Sequence, residues 1–397
     1  MVEDFIIDVI GSFADGKTTL VKALTNESTL RHSEEKKRGI TIRLGYAHFV
    51  IFKCNACGKF SRKDKCEYCG SDATPSSRVS IIDSPGHRTL MTIMLSGAAL
   101  VDGAILVVAA NQKFPQAQTA EHLEAIKIIG VKNLVVAQTK VDIVGAEIAK
   151  QNKAEIEQFL AKNGFVDIKV IPVFAINDVN VKELMQEIGK FSVADVAKQG
   201  QPTMLVVRSF DVNRPGTDIN KLHGAIIGGA LKSGELRVGD SIIINPGIHA
   251  KNGWSPLHTK ILSINSEFGR EESVRRGVTI GVETALDPAL GGRDNMAGSM
   301  ITSDDNPPIV KDKIAVDYQP LSDKEKAVFR SPIQRNETVL LNVLASKALG
   351  TVVNVTGNKV TITVNNGVVP FTSGDRAIIS RKFDNVWVLA GSGKIYA

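Results

Sequence analysis

The first half of the chain alternates short apolar runs with stretches of helical periodicity. Runs such as "FIIDVI", "GAILVVAA" and "NLVVAQ" are almost wholly apolar, and a segment of helical pattern follows each of them. Strands that are apolar on both faces are typical of a parallel sheet covered by crossover helices. The pattern therefore predicts an α/β domain of the nucleotide-binding type.

The pattern changes at about Gln201, where short β-rich runs separated by glycine-containing turns replace the helical stretches. Such a pattern predicts barrels or sandwiches. The segment "DDNPPIV" is typical of a linker, and a further all-β unit follows it. We therefore predict three domains: a nucleotide-binding domain over 1–198, a β-barrel over 199–312 and a second β-barrel over 313–397.

Composition and charge narrow the function only a little. The 43% of hydrophobic and 23% of charged residues are ordinary for a soluble globular protein of 397 residues. No apolar run approaches the ~18 residues of a membrane span, and the acidic start "MVEDFIIDVIG" is unlike a secretory signal. We therefore expect a cytoplasmic protein with no membrane partner. The net charge of +6 favours a polyanionic partner only weakly, since so mild an excess is often a solvated surface.

A phosphate-binding signature lies between the first apolar run and the first helix. The stretch "GSFADGKT" satisfies G-x-x-x-x-G-K-[ST] in the strand-to-helix context that the motif requires. Main-chain N–H groups of such a loop point at phosphate oxygens, the lysine neutralises phosphate charge, and the threonine hydroxyl suits Mg²⁺. The alternative is a glycine-rich turn that binds nothing. The residues predicted to hold the phosphates are Gly11, Asp15, Gly16, Lys17, Thr18 and Thr19.

Two downstream segments predict a switch that responds to the nucleotide. The stretch "IIDSPGH" places Asp83 at the end of a buried strand, where it could hold magnesium, and Gly86 can turn its peptide toward a γ-phosphate. Thr41, in "RGITI", could close over the same metal when that phosphate is present. Asp83 by itself could also be an ordinary strand-end aspartate. The predicted magnesium ligands are Thr18, Thr41 and Asp83.

The choice of base comes from the stretch "QTKVD". Asp142 can accept two hydrogen bonds from the N1–H and the exocyclic amine of guanine, whereas adenine offers no such pair, so GTP is favoured over ATP. Thr139 stands where GTPases usually have the asparagine of N-K-x-D, which can cost affinity or selectivity, and Lys140 follows it. The last base contact would be the main-chain N–H of Ala175, in "FAI" in place of the usual Ser-Ala-Lys turn.

All four cysteines fall within one short segment, in the pattern C-x2-C, eight residues, C-x2-C. Four thiolates at this spacing can close tetrahedrally on Zn²⁺, whereas disulfides are not expected in so short a stretch. A closed site leaves no position for a substrate, so we predict structural zinc in an insertion at about 53–75. The alternative is a knuckle that holds no metal. The predicted zinc ligands are Cys54, Cys57, Cys66 and Cys69.

Together these segments resemble a known family. The combination of "RHSEEKKRGITIRLGYA", the four-cysteine insertion, "DSPGH" and "RSFDVNRPGT" is similar to the gamma subunit of archaeal and eukaryotic translation initiation factor 2, over essentially the whole chain. The resemblance implies a GTP-binding domain followed by two β-barrels, with Mg²⁺ bound alongside GTP or GDP. It also implies GTP-dependent binding of methionylated initiator tRNA and its delivery to the small ribosomal subunit, with GTP hydrolysis as the release switch, in a heterotrimer with alpha and beta subunits.

The resemblance also assigns catalytic residues, and it shows that the phosphate loop of this chain departs from the family's usual sequence. His87 matches the histidine that orients the attacking water in translational GTPases, and Lys17 carries phosphate charge. Where such enzymes read G-H-V-D-H-G-K-T, this chain has "SFAD" in place of H-V-D-H. Ala14 removes a carboxylate, so we expect nucleotide binding to persist and intrinsic hydrolysis to be slow. Phe13 would be a bulky apolar gate that restrains His87.

Two other functions stay open from the sequence. A GTP-binding assembly scaffold that does not hydrolyse GTP is supported by the altered loop and by Thr139. The other is a carrier of another aminoacyl-tRNA, such as a selenocysteine-specific elongation factor, which a much longer C-terminal extension would favour.

Overall fold

The structure is a computed structural model, and it describes residues 3–29, 41, 44–87, 91–192, 200–251, 253–321 and 331–396. The chain divides into two compact units, Met1–Val193 and Ala194–Ala397. The predicted boundary between 198 and 199 lies outside the described residues, and the three-domain division stays a prediction. In the described part of the chain, every helix is too short or too polar to cross a membrane.

The first unit is a seven-stranded sheet with helices packed on it. Its strands are β1 Glu3–Gly11, β2 Gly45–Cys54, β3 Phe60–Ser61, β4 Ala73–Asp83, β5 Gly103–Ala109, β6 Asn133–Thr139 and β7 Val170–Pro172. Its helices are α1 Lys17–Thr25, α2 Met91–Ala98, α3 Ala117–Ile129, α4 Ala146–Lys162 and α5 Val181–Ile188. The strand order is β3-β2-β4-β1-β5-β6-β7. Neighbouring strands pair in parallel along β4-β1-β5-β6-β7, whereas β2 pairs antiparallel with β3 and β4.

The apolar runs account for the centre of this sheet. Every residue of β5 is buried, as expected for a strand covered on both faces. Helix α5 buries residues spaced three and four apart, which form one face against the sheet: Val181, Leu184, Met185 and Ile188. Because β1, β4, β5, β6 and β7 are parallel, the loops after them meet at one edge, where ligands bind in open α/β sheets.

The second unit begins with a closed six-stranded antiparallel barrel. Its ring runs β11-β16-β8-β9-β15-β12 and closes by pairing β12 with β11. The strands of this part are β8 Thr203–Phe210, β9 Ile226–Ser233, β10 Glu235–Arg237, β11 Ser241–Ala250, β12 Gly253–Ser266, β13 Gly269–Glu271, β14 Ser273–Arg275, β15 Thr279–Thr284 and β16 Met300–Ser303. A short helix, α6 Pro288–Gly291, precedes the last of them.

A second closed barrel follows, with the ring β18-β21-β20-β19-β23-β24. Its strands, with the small ribbon β17–β22, are β17 Ile309–Lys311, β18 Lys313–Pro320, β19 Thr338–Val343, β20 Ser346–Thr356, β21 Lys359–Val364, β22 Val369–Phe371, β23 Arg376–Phe383 and β24 Val386–Tyr396. Each barrel encloses its own apolar cluster. The predicted fold class, an α/β P-loop domain with a parallel-rich sheet followed by two β-barrels, is confirmed.

Candidate functional site

The loop between β1 and α1 has the geometry of a phosphate cradle. Gly16, which precedes the helix, has a φ of 91°, and a Cβ atom on Gly11 would lie 2.4 Å from the carbonyl oxygen of Val107. Both positions therefore require glycine. The buried Lys17 ammonium donates to the carbonyl oxygens of Gly11 (3.1 Å) and Ser12 (2.8 Å). This ammonium and the N–H groups of the first turn of α1 together suit a phosphate.

The three predicted magnesium ligands lie together beside this loop. Thr18 Oγ1 donates to Asp83 Oδ2 at 2.8 Å, and Thr41 Oγ1 lies 3.0 Å from Thr18 Oγ1 and 3.5 Å from the same carboxylate oxygen. Thr29, which the sequence did not single out, also donates to Asp83 Oδ2 (2.5 Å). The other oxygen, Oδ1, is buried and has no hydrogen-bond partner among the described residues. Two hydroxyls and an unpaired carboxylate oxygen are hard donors that fit Mg²⁺.

Buried charges around Lys17 also favour a cation. Asp8, Asp15 and Asp83 all interact with this ammonium. Burial raises the pKa of Asp83, raises that of Asp8 to about 7 and raises that of Asp15 to about 6. Burial likewise lowers the pKa of Lys17. Burial thus penalises the charged form of all three carboxyl groups, and a divalent cation beside them would favour their ionised forms. Asp8 was missed, although an aspartate inside the apolar run "FIIDVI" is a visible signal.

The segment after β4 approaches the loop closely. A Cβ atom on Gly86 would lie 2.3 Å from Lys17 Nζ and 2.8 Å from two loop carbonyl oxygens, so a larger residue does not fit. The exposed ring of His87 packs edge-on against that of Phe13, with centroids 6.2 Å apart and planes at 77°. The two residues of the predicted gate are thus neighbours, while the catalytic role of His87 stays a prediction.

The predicted base-binding residues follow β6 and β7, which pair in parallel and so end at the same edge. Lys140, with a φ of 56°, leads into a 3₁₀ turn, Val141–Ile143, that carries the exposed Asp142. Ala175 begins a second 3₁₀ turn, Ala175–Asn177. The topology therefore brings both turns to the edge that also holds the phosphate loop.

The four cysteines form one compact cluster, with all Sγ atoms within 4.8 Å of one another. The Cys54–Cys69 sulfur distance is 3.5 Å, and Cys57 lies 3.6 Å from both Cys66 and Cys69. Tetrahedral zinc with Zn–S bonds of about 2.3 Å places sulfurs ~3.8 Å apart. The Cys57 N–H points at Cys54 Sγ (3.4 Å), and the Tyr68 N–H at Cys66 Sγ (3.4 Å). The cluster is therefore compatible with zinc.

Comparison with known proteins gives the family. Residues 4–192 match the family model of the elongation factor Tu GTP binding domain, and residues 313–395 match that of initiation factor eIF2 gamma, C terminal. Translation initiation factor 2 subunit gamma of Pyrococcus horikoshii is 40% identical over 397 residues, which cover 98% of this chain and 96% of the relative. The same subunit of Methanopyrus kandleri is 38% identical over 402 residues, with 98% and 97% covered.

The chain belongs to the translation initiation factor 2 subunit gamma family. The predicted resemblance is confirmed, and so are the function as a GTP-dependent initiation factor subunit and the GTPase activity. A GTPase domain implies Mg²⁺ with the nucleotide, and a gamma subunit is one part of a multi-subunit factor.

Solved structures agree with the fold. A bacterial selenocysteine-specific elongation factor, EF-Sec, superimposes with a TM-score of 0.77 at 21% identity, over 99% of this chain and 58% of that chain. The elongation factor SelB from Methanococcus maripaludis, in complex with the GTP analogue GppNHp, gives a TM-score of 0.75 at 21% identity, over 100% and 79% of the two chains. At such identities the likeness shows the fold alone.

Helix α3 supports the unusual phosphate loop of this chain. Thr119 Oγ1 lies 2.8 Å from Ser12 Oγ, and His122 Nδ1 accepts the N–H of Gly11 (3.0 Å). Burial lowers the pKa of His122 to about 3, so the ring is neutral and can accept. The side chain of Asp15 is buried, and its Oδ2 accepts the N–H of Ser12 (2.7 Å). Sequence reasoning missed both α3 residues, although their i, i+3 spacing places two polar groups on one helix face.

Thr139 also contacts the loop. Its hydroxyl is buried and donates to the carbonyl oxygen of Asp15 at 2.6 Å. The threonine of "TKVD" therefore ties the base motif to the phosphate loop, and a direct contact with the base stays a prediction.

Proposed function

We propose that the chain binds methionylated initiator tRNA in its GTP state and delivers it to the small ribosomal subunit, together with the alpha and beta subunits of the factor. The observation that carries this proposal is the meeting of Thr18, Thr41 and Asp83. They belong to three separate segments, so one γ-phosphate with its magnesium can hold all three. Hydrolysis would release Thr41, and this change would be passed to the tRNA-binding surface.

The reaction is phosphoryl transfer from GTP to water, which requires charge neutralisation and a positioned nucleophile. Lys17 would exchange its two carbonyl partners for phosphate oxygens. When bound, Mg²⁺ supplies further positive charge, and Thr18, Thr41 and Asp83 would hold it. Gly86 would offer its main-chain N–H to the γ-phosphate, and His87 would align the water.

Slow intrinsic turnover follows from the position of His87 in this proposal. Its ring packs against the Phe13 ring, and aromatic pairs of this geometry are worth about 0.5–1.5 kcal/mol beyond their buried area. His87 must leave this contact to reach the water, so a ribosomal partner that moves Phe13 would accelerate hydrolysis.

Guanine would be held by Asp142 and by the main-chain N–H of Ala175, with Lys140 beside the base. The phosphates would be held by the loop residues Gly11, Asp15, Gly16, Lys17, Thr18 and Thr19. The hydrogen bond from Thr139 to the Asp15 carbonyl oxygen links the proposed base site to the phosphate loop. This link supports the proposal that the two parts move together.

We further propose structural zinc at Cys54, Cys57, Cys66 and Cys69, and three domains over 1–198, 199–312 and 313–397. The close sulfur contacts support the zinc. The proposed role in protein synthesis assigns the chain to the cytoplasm.

The two alternatives are weaker. Membership of the gamma-subunit family at 40% identity favours initiator tRNA over the selenocysteine carrier, to which the likeness is 21%. A scaffold that does not hydrolyse GTP is disfavoured by the GTP-binding domain of translational GTPases over residues 4–192.

Equilibrium binding of tRNA tests the proposal. The chain would be reconstituted with its alpha and beta subunits and titrated with methionylated initiator and elongator tRNA, in the presence of GDP or a GTP analogue. We expect tight binding of initiator tRNA only with the GTP analogue. Equal affinity in both nucleotide states would contradict the proposal, because a ligand without differential affinity cannot shift an equilibrium.

Single-turnover GTP hydrolysis with ribosomal subunits tests the catalytic step. We expect His87→Ala to reduce the rate by about 10²-fold or more. His258→Ala is the matched control, because that histidine is exposed and pairs with Asp304 in the second unit. A wild-type rate for His87→Ala would leave the histidine without a catalytic role.

A further inference from the structure

The four-cysteine insertion, residues 53–75, packs against α5. The N–H of Phe60 donates to Gln186 Oε1 (2.9 Å), and Tyr68 Oη donates to the carbonyl oxygen of Lys182 (3.1 Å). The Phe60 ring lies so close to Gly189 that a Cβ atom there would be 2.3 Å from it. The insertion is therefore part of the packing of the nucleotide-binding unit.

One side chain of the insertion, Arg62, binds three parts of this unit at once. Its guanidinium makes two hydrogen bonds to Asp178 (2.6 and 2.7 Å), two to Glu67 (2.6 and 3.5 Å) and one to the carbonyl oxygen of Ala23 in α1 (3.2 Å). The side chain is only 15% exposed. A bidentate guanidinium–carboxylate pair is strong and geometrically specific.

Asp178 directly follows the 3₁₀ turn that begins with Ala175, the proposed guanine contact. The 3₁₀ turn Ala175–Asn177 is followed by Asp178 with a φ of 59°, which is uncommon for a residue other than glycine. Phe174 and Val179 close the turn through two main-chain hydrogen bonds of 3.1 Å. Residues 174–179, which we call the guanine turn, therefore form a closed unit whose one carboxylate, that of Asp178, is held by Arg62.

Arg62 is also linked to the cysteine cluster. Glu67 is next to Cys66 in the chain. Its carboxylate accepts hydrogen bonds from the guanidinium of Arg62 and from the main-chain N–H of Arg62 (3.0 Å). Cys66 is buried in the cluster. A metal that fixes Cys66 therefore fixes Glu67, which in turn orients the guanidinium, as partners outside the ligand set often do.

We propose that Arg62 is a positioning residue for the guanine nucleotide, and that it couples metal binding at the four cysteines to retention of that nucleotide. The inference rests on the guanine site proposed above. With metal bound, Arg62 holds the guanine turn against α1, the helix that follows the phosphate loop. Without the metal or the guanidinium the turn opens more easily and the nucleotide leaves faster. By linkage, bound nucleotide raises the affinity for the metal by the same factor.

The first test is the dissociation rate of a fluorescent GDP analogue from the full, zinc-loaded chain. The variants are Arg62→Met, Arg62→Lys, Asp178→Asn and, as matched control, Lys65→Met, since Lys65 lies on the same insertion and pairs with Asp72 at the surface. We expect about tenfold faster dissociation for Arg62→Met and Asp178→Asn, a smaller increase for Arg62→Lys and no change for the control. The double variant should dissociate little faster than Arg62→Met, because both changes remove one contact.

The second test is zinc release to a chelator, followed with a colorimetric indicator. We expect GDP to slow the release in the wild type and to have no effect in Arg62→Met. A variant that melts at a lower temperature but keeps wild-type GDP dissociation would show a purely structural brace and overturn the proposal. A wild type that binds no guanine nucleotide would instead refute the proposed function, so the two failures are distinguishable.

Discussion

Replacing His122 with phenylalanine tests whether α3 holds the phosphate loop. His122 is 1% exposed, and its Nδ1 accepts the N–H of Gly11 at 3.0 Å. Phenylalanine fills a similar volume but offers no acceptor, so the Gly11 N–H stays buried without a partner. An unpaired buried donor costs about 1–3 kcal/mol. At about 2 kcal/mol, the equilibrium constant for opening the loop would rise roughly 30-fold.

The neighbouring contact provides an internal control for this reasoning. Thr119→Val removes the partner of the Ser12 hydroxyl, which lies 2.8 Å away. The double variant Ser12→Ala with Thr119→Val removes both hydroxyls. Because the cost lies in leaving one partner unsatisfied, we expect the double variant to be less destabilised than Thr119→Val alone.

Hydrogen exchange followed by mass spectrometry is the suitable assay. A chain with several cores does not unfold in one step, so a local measurement is more informative than a global melting curve. We expect the peptide that contains Gly11 to exchange faster in His122→Phe, and GDP to protect it less. His258→Phe, at an exposed position of the second unit, is the control. Wild-type exchange of that peptide in His122→Phe would refute the assigned support.

Three further changes test other parts of the site. Gly86→Ala places a carbon 2.3 Å from Lys17 Nζ. Because displacements of about 1 Å can cost ~100-fold in rate, we expect single-turnover hydrolysis to slow by that order. An unchanged rate would argue against a close approach of residue 86 to Lys17 in the GTP state. Thr139→Val removes the hydroxyl bound to the Asp15 carbonyl oxygen. A buried hydrogen bond is worth about 1 kcal/mol, so GDP affinity should fall about fivefold in a fluorescence titration, with Thr139→Ser restoring it. Asp15→Asn tests the pH dependence. Burial raises the pKa of Asp15 from 3.8 to about 6, so the folded chain holds this proton more tightly than the unfolded chain. The contribution of Asp15 to stability is therefore complete below about pH 4 and falls by roughly 3 kcal/mol as the pH rises through 6. The asparagine variant should lose this dependence when opening of the loop peptide is followed by hydrogen exchange between pH 4 and 7, with the intrinsic pH dependence of exchange subtracted. Parallel wild-type and variant profiles would contradict the assignment.

The parts of the site that were predictable from sequence are local motifs. The phosphate loop needs glycines at fixed positions, because Gly16 has a left-handed φ and Gly11 lies against a neighbouring strand. The two C-x2-C pairs are likewise recognisable within one short segment of the sequence. Thr41 and Asp83 could be placed near Thr18 because three motifs that serve one metal must meet. The fold class followed from apolar runs that only a doubly covered sheet can bury.

The missed residues depend on contacts between distant positions. Thr119 and His122 lie 107 and 111 positions from the loop residues they contact, and Arg62 lies 116 from Asp178. Each of these side chains is ordinary where it stands in the sequence. The i, i+3 spacing of Thr119 and His122 indicates a shared helix face, but only the packing of a helix or an insertion decides which partner each side chain meets.

Thr139 illustrates why a departure from a motif need not remove the interaction that the motif provides. From the sequence, a smaller side chain with a single hydroxyl suggested a weaker base contact. In the folded chain that hydroxyl reaches the carbonyl oxygen of Asp15, in the phosphate loop. A carbonyl oxygen accepts from any well-placed donor, so threonine can maintain a tie between base motif and loop. The altered loop follows the same logic, because the buried side chain of Asp15 turns inward and its Oδ2 accepts the N–H of Ser12 within the loop.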